Sequence, residues 1–215
     1  MTAYTKRLQK VTAVLCTTAL LAGCAAGTSD STEPAATTAQ VKAITIEPTA
    51  AYQTMNGFGA SACWWSQEVG NWENAKDILS LLYDENSGIG LNIYRYNLGA
   101  GSKDDATITD PDRRAEAFID KDGSYHWERD AAAQNALALA RSMNEDLRVT
   151  LFSNSAPVFY TANGKAYCDY LPDEEKYVTN LEPERYADFA KYSIACAKHF
   201  TEAGYRVTGM SPINE

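Results

Sequence analysis

Histidine is almost missing from this chain: His126 and His199 are the two copies in 215 residues. They lie far apart in sequence, and no Cys/His spacing of the metal-site kind surrounds either one, so neither a metal nor another cofactor is expected. Cations are scarce as well. Lys and Arg number 19 against 28 acids, a net charge of −9, and losing Lys6, Arg7 and Lys10 with a leader peptide would take it to −12. Such an excess of acid argues against nucleic acid as a partner, because phosphate neutralisation needs Lys and Arg. A membrane-spanning run is lacking too. The charge-free apolar stretch Val11 to Ala22 is too short to cross a bilayer comfortably.

What is present begins with that stretch. Lys6, Arg7 and Lys10 precede it, and Leu21-Ala22-Gly23-Cys24 closes it. A basic head, a short apolar core and small residues before a cysteine describe a secretory leader, and the last four residues resemble a bacterial lipobox. The expectation is a signal peptide over 1–23 with a lipid on Cys24 and a bacterial cell-surface, membrane-anchored, extracytoplasmic location. An ordinary cleaved leader with a coincidental cysteine is the alternative. Residues 24–43 are rich in Ala, Thr and Ser without an aromatic. They cannot bury enough apolar surface to offset ordering and read as a tether. Of five cysteines, Cys16 falls in the leader and Cys24 takes the lipid. Cys63, Cys168 and Cys196 remain, enough for one disulfide and a free thiol, with no pairing favoured by spacing.

The following 44–215 stretch has the size of one domain and alternates strand with helix. Gln53 to Ala60 reads as extended and then Gly-rich, Glu73 to Tyr83 as a helix with Ala75, Ile78, Leu79 and Leu82 on one face. Ile89 to Asn97 is a second strand, and Asp130 stands as N-cap of a helix reaching Met143, with Leu137, Ala140 and Met143 inward. Arg148 to Asn154 is a third strand. Pro183 opens a helix whose apolar face is Tyr186, Phe189, Ala190, Ile194, Ala197 and Phe200, and Tyr205 to Ser211 is a fourth strand. Strands alternating with such helices imply right-handed crossovers and a parallel sheet, and four strands make half of an eight-stranded α/β barrel. The loops after the second strand (Gly99 to about Tyr125) and the third (Ser155 to Leu181) are long. In barrels of this kind the loops after the strands build the active site.

Four short motifs fall at the predicted strand ends: Asn56-Gly57-Phe58-Gly59-Ala60-Ser61 with Trp64-Trp65, Tyr94-Arg95-Tyr96-Asn97-Leu98-Gly99, Ser153-Asn154-Ser155-Ala156-Pro157, and Ser211-Pro212-Ile213-Asn214-Glu215. Together and in this order they resemble the first four strands of glycoside hydrolase family 30, over roughly Ala43 to Glu215. With Tyr125-His126-Trp127, the paired Trp look most like the endo-β-1,6-galactanase branch, near the glucosylceramidase-like members. Ala156 departs from the family's usual Pro.

The resemblance implies a (β/α)8 TIM barrel of which strands 1–4 are present, and retaining hydrolysis of a β-linked polysaccharide or oligosaccharide through two carboxylates. Glu215 would be the acid/base, a role that needs a raised pKa, or else an exposed carboxylate. Asn214 would donate to the sugar 2-hydroxyl, or shape a strand-end turn. Arg95 would support the nucleophilic carboxylate, or form a structural salt bridge. Trp64, Trp65, Trp127 and Phe159 are candidate sugar platforms with a core role as the alternative, and Asn154 binds a hydroxyl or caps a turn. The family's nucleophile stands on a seventh strand with no counterpart here, so the 215 residues alone are expected to be inactive and to lack the C-terminal half of the barrel. Val41, Ile44 and Ile46, ending at Pro48, fit a strand of the family's side β-sandwich. A lipid-anchored carbohydrate-binding lipoprotein without hydrolysis, or a structural lipoprotein, would account for fewer of these features.

Overall fold

The computed structural model describes residues 44–214. Two compact units divide between Tyr52 and Gln53. In the first, the described residues 44–52 contain a turn in which Glu47 accepts from the Thr49 hydroxyl at 2.6 Å. Ile44 and Ile46 are exposed and outside any strand. The sandwich strand expected there is therefore absent from residues 44–52: a strand needs a hydrogen-bonding neighbour, and these residues have none. Val41, the leader, the tether with Cys24, and Glu215 lie outside the described residues.

The second unit is built on β1 (Gly59–Ser61), β2 (Ile93–Leu98), β3 (Arg148–Ser153) and β6 (Arg206–Ser211). They lie side by side in chain order and all parallel. Helices fill each crossover: α1 (Trp65–Val69) and α2 (Ala75–Tyr83) after β1, α3 (Ala131–Met143) after β2, and α4 (Tyr186–Glu202) before β6. The sheet is open, with β1 and β6 at its edges among the described residues.

Register explains how the two faces divide. Tyr94, Tyr96 and Leu98 stand opposite Val149, Leu151 and Ser153, and the apolar members pack on Leu79 and Tyr83 of α2, Leu137 and Ala140 of α3, and Phe189, Tyr192, Cys196 and Phe200 of α4. The intervening positions, Arg95 and Asn97 with Thr150 and Phe152, alternate to the other face. That face is the one a barrel would enclose.

Several elements differ from the sequence expectation. The helix expected over Glu73 to Tyr83 is present as α2, but a short further helix, α1, precedes it; it ends at Gly70, where a Cβ would collide with the backbone of Ala132 in α3. Asp130 occupies the N-cap position of α3 but its side chain does not cap. It adopts φ 54°, ψ 36°, and its Oδ2 accepts from the Tyr96 hydroxyl at 2.7 Å, while its amide donates to Glu116 at 2.8 Å. The buried stripe of α4 is Phe189, Tyr192, Ser193, Cys196 and Phe200; Tyr186, Ala190 and Ile194 face outward. The helix is turned so that the Tyr192 hydroxyl accepts from the Phe118 amide at 3.4 Å. The loop after β3 contains an antiparallel hairpin of β4 (Asp169–Leu171) and β5 (Lys176–Val178). Finally, Cys63, Cys168 and Cys196 are all free thiols: Cys196 is buried in the helix layer and Cys168 is exposed beside the hairpin.

Candidate functional site

Parallel register brings residues from four strand ends to one rim. Ser61 of β1 is level with Arg95 of β2, and the Arg95 guanidinium lies 3.4 Å from the centroid of the Phe152 ring on β3. Stacking on an aromatic face fixes a planar cation. So held, Arg95 donates from Nη1 to the Ser61 hydroxyl at 3.3 Å and from Nη2 to Asn214 Oδ1 at 2.8 Å. Asn214 in turn donates from Nδ2 to Asn154 Oδ1 at 2.9 Å. Residues 119 and 60 positions apart in sequence thereby form one connected line across β1, β2, β3 and β6.

This line sets what Asn214 can do. An amide has one oxygen and two N–H donors. The oxygen is taken by Arg95 and one N–H by Asn154, which orients the group and leaves the other N–H to donate. Cys63 stands beside the line. Burial pushes its thiol up, opposed by a hydrogen bond from Ser61 and by the charges of Arg95 and Arg113.

Two clefts flank Asn154. The larger, about 670 Å³, lies over the ends of β2 and β3 and is lined by Trp64, Asn97, Asp110, Arg113, Asn154 and Tyr167, among others. The smaller, about 190 Å³, lies towards β6 and is lined by Asn154, Asn214, Cys168, Tyr167 and Tyr177 among its residues. Trp64 is the one proposed platform that lines the larger cleft; the Arg113 guanidinium sits 5.1 Å from its ring centroid.

The other three rings are placed elsewhere. Trp65 packs on the core and donates its indole N–H to the Ser61 carbonyl at 2.8 Å. Trp127 is stacked between Tyr125, at 4.8 Å, and His199, at 4.1 Å. Phe159 lies against the core beside Tyr160 and borders a separate hollow with Lys103 and Glu116. Tyr167 and Tyr177, which the motif reading passed over, are half-exposed and exposed rings on the rim. The signal available was two tyrosines in a long loop following a barrel strand. Among the described residues no group of three or more His, Cys, Asp or Glu side chains is placed to hold a metal ion.

The sequence matches the model of O-glycosyl hydrolase family 30 over residues 41–215. The chain belongs to this family. An endo-beta-1,6-galactanase of Hypocrea rufa is 29% identical, with 73% of this chain and 36% of that protein aligned. A conserved exported protein from Bacteroides fragilis superposes with a TM-score of 0.69 at 30% identity, over 79% of this chain and 36% of its own. SrfJ from Salmonella typhimurium shares the fold, with a TM-score of 0.56 at 19% identity, over 76% of this chain and 35% of its own. The family 30 chain described here thus spans about a third of the length of these relatives. Its parallel sheet with helices in the crossovers is that of a partial barrel domain of the family.

Proposed function

We propose that the chain carries the acid/base half of a retaining glycosidase that cleaves β-1,6-linked galactan or a related β-glucan. The observation that carries this reading is the line Ser61–Arg95–Asn214–Asn154, which fixes the Asn214 amide at the rim, one residue before Glu215. In the reaction, Glu215 protonates the leaving glycosidic oxygen and then takes a proton from the attacking water. Asn214 donates to the 2-hydroxyl, a bond that strengthens as the oxocarbenium-like transition state forms. Arg95 would steady the second carboxylate by charge, as a cation already locked by Phe152 and Asn214 can do without reorganisation.

Retaining chemistry needs two carboxylates about 5 Å apart. Among the described residues, the side-chain partners of Arg95 are Ser61 and Asn214, not an acid. On this reading the 215 residues bind the glycan without turning it over, and the nucleophile comes from the family's later strands. The galactan preference rests on the similarity to the Hypocrea rufa galactanase. A lipid on Cys24 would hold the protein at the outer face of a bacterial membrane, where polysaccharide is met.

The deciding experiment incubates purified chain with β-1,6-galactan and measures reducing ends and binding together. Binding without hydrolysis, weakened at least tenfold in Asn214→Ala, is expected. Turnover that vanishes in Glu215→Gln would show that a nucleophile is already present, and absence of binding to any β-linked glycan would overturn the reading. For the anchor, incorporation of labelled palmitate should disappear in Cys24→Ala.

A further inference from the structure

We infer that the groove between α1 and the single 3-10 turn Pro111–Arg113 is a docking site for a basic segment of a partner protein, entered by an arginine side chain. The groove encloses about 380 Å³. Trp65 and Glu68 of α1 and Trp72 just beyond it line one part, and Asp112 and Arg113 of the turn line another. Arg95, Asn154 and Asn214 are not among its lining residues. The inference is therefore independent of the glycosidase reading, and either can fail alone.

The partner's chemistry follows from the rings and the charges. Trp72 is 50% exposed, an indole left open between α1 and α2. Tryptophan is the aromatic that attracts cations most strongly. The chain already seats one cation in this way, with the Arg113 guanidinium 5.1 Å from the centroid of the Trp64 ring. Arg113 also pairs with Asp110 at 3.2 Å. Glu68 and Asp112 are exposed, and among the described residues neither has an ion-pair partner. A neutral ligand would gain nothing from two unmatched carboxylates, and an anion would be repelled. A cation uses both the indole and the acids. Guanidinium suits the place better than ammonium, because its plane stacks on a ring while its N–H fork meets a carboxylate.

The surface is formed in advance. The Trp65 indole N–H is held by the Ser61 carbonyl at 2.8 Å. The Trp72 amide donates to the Val69 carbonyl at 3.0 Å, and its carbonyl accepts from the Ala75 amide at 3.1 Å. In the facing turn, Asp110 accepts from the Asp112 amide at 3.2 Å. Little backbone freedom is lost when a partner arrives, which favours affinity. Trp64, Asp110 and Arg113 line this groove and the larger cleft alike. A partner seated here borders the mouth of that cleft without entering it.

The test is fluorescence anisotropy of dye-labelled tetra-arginine titrated with the full chain, beside tetra-lysine and tetra-glutamate. Tetra-arginine should bind most tightly and tetra-glutamate not at all. Affinity should fall as salt rises from about 0.01 M to about 0.15 M. Trp72→Ala should weaken binding about fivefold, whereas Trp72→Tyr, which keeps a ring, should retain most of it. Glu68→Gln combined with Asp112→Asn should also weaken it about fivefold at low salt. Both positions are on the surface, so the variants should keep the circular dichroism of the parent. Equal affinity of Trp72→Ala and the parent would mean diffuse attraction to an acidic surface and would overturn the site. So would absence of binding, or tetra-lysine binding more tightly than tetra-arginine. Self-association of the chain that disappears in Trp72→Ala would assign the groove to a second copy and overturn the basic partner. Loss of β-1,6-galactan binding in that variant, with tetra-arginine binding intact, would make it a glycan surface and overturn it as well.

Discussion

Burial pushes the Asp130 carboxyl up to about 7, with Glu116 adding to the shift and the hydrogen bond from Tyr96 opposing it. In the unfolded chain the same group titrates near about 3.9. The folded state therefore holds the proton more tightly. The stability Asp130 contributes is complete below about pH 4, declines as pH rises towards 7, and stays lost above it. Asp130→Asn, which cannot ionise, should flatten that decline. Denaturant titrations at pH 5 and pH 8 should show the loss reduced by something on the order of 2 kcal/mol, and parallel curves for the two proteins would mean that Asp130 does not charge in this range. Thiol chemistry gives a second residue-level expectation. Cys168 is exposed, whereas burial pushes Cys196 up to about 12. In the native protein a disulfide reagent followed by peptide mapping should label Cys168 quickly and Cys196 only after unfolding. Arg95 invites a third test: Arg95→Lys keeps the charge but gives up the planar stack on Phe152 and the two-pronged grip on Ser61 and Asn214. It should cost about 1.5–3 kcal/mol by urea unfolding, and a change below 0.5 kcal/mol would show that the grip is unimportant to stability.

At the scale of elements, packing corrected periodicity. The existence of β2, β3, α3, α4 and β6 was legible because each carries its own period between glycines or prolines. The rotation of α4 was not, because aliphatic Ile194 looked inward while Tyr192, a ring with a hydroxyl, was the residue that reached Phe118. Asp130 stands at the N-cap of α3 as read, but its side chain accepts from a tertiary partner, Tyr96, in place of a capping bond. Gly70 marks where α1 crosses α3: a Cβ there would collide with the backbone of Ala132. Gly70→Ala should lower stability by more than about 2 kcal/mol, read from chemical denaturation. An unchanged midpoint would show that the two helices can separate without cost.

On the scale of the whole molecule, the sequence by itself determined the class and the family. Alternation of strands and helices permits few topologies, and four motifs at strand ends carry the family signature in order. Through the resemblance of those motifs it also named Arg95, Asn154 and Asn214. It could not say which aromatics face a ligand, because a tryptophan in a core and one on a rim have the same local pattern. Trp65, Trp127 and Phe159 went to packing, while Tyr167 came to the clefts through its hydroxyl's bond to Thr107 and its carbonyl's bonds from Asn163 and Asn180. Only the tertiary structure decided that, and only it joined Ser61, Arg95, Asn154 and Asn214 into a line. The physical reason is that hydrogen bonds across parallel strands depend on register, and register is set by how the helix layer packs rather than by any one segment.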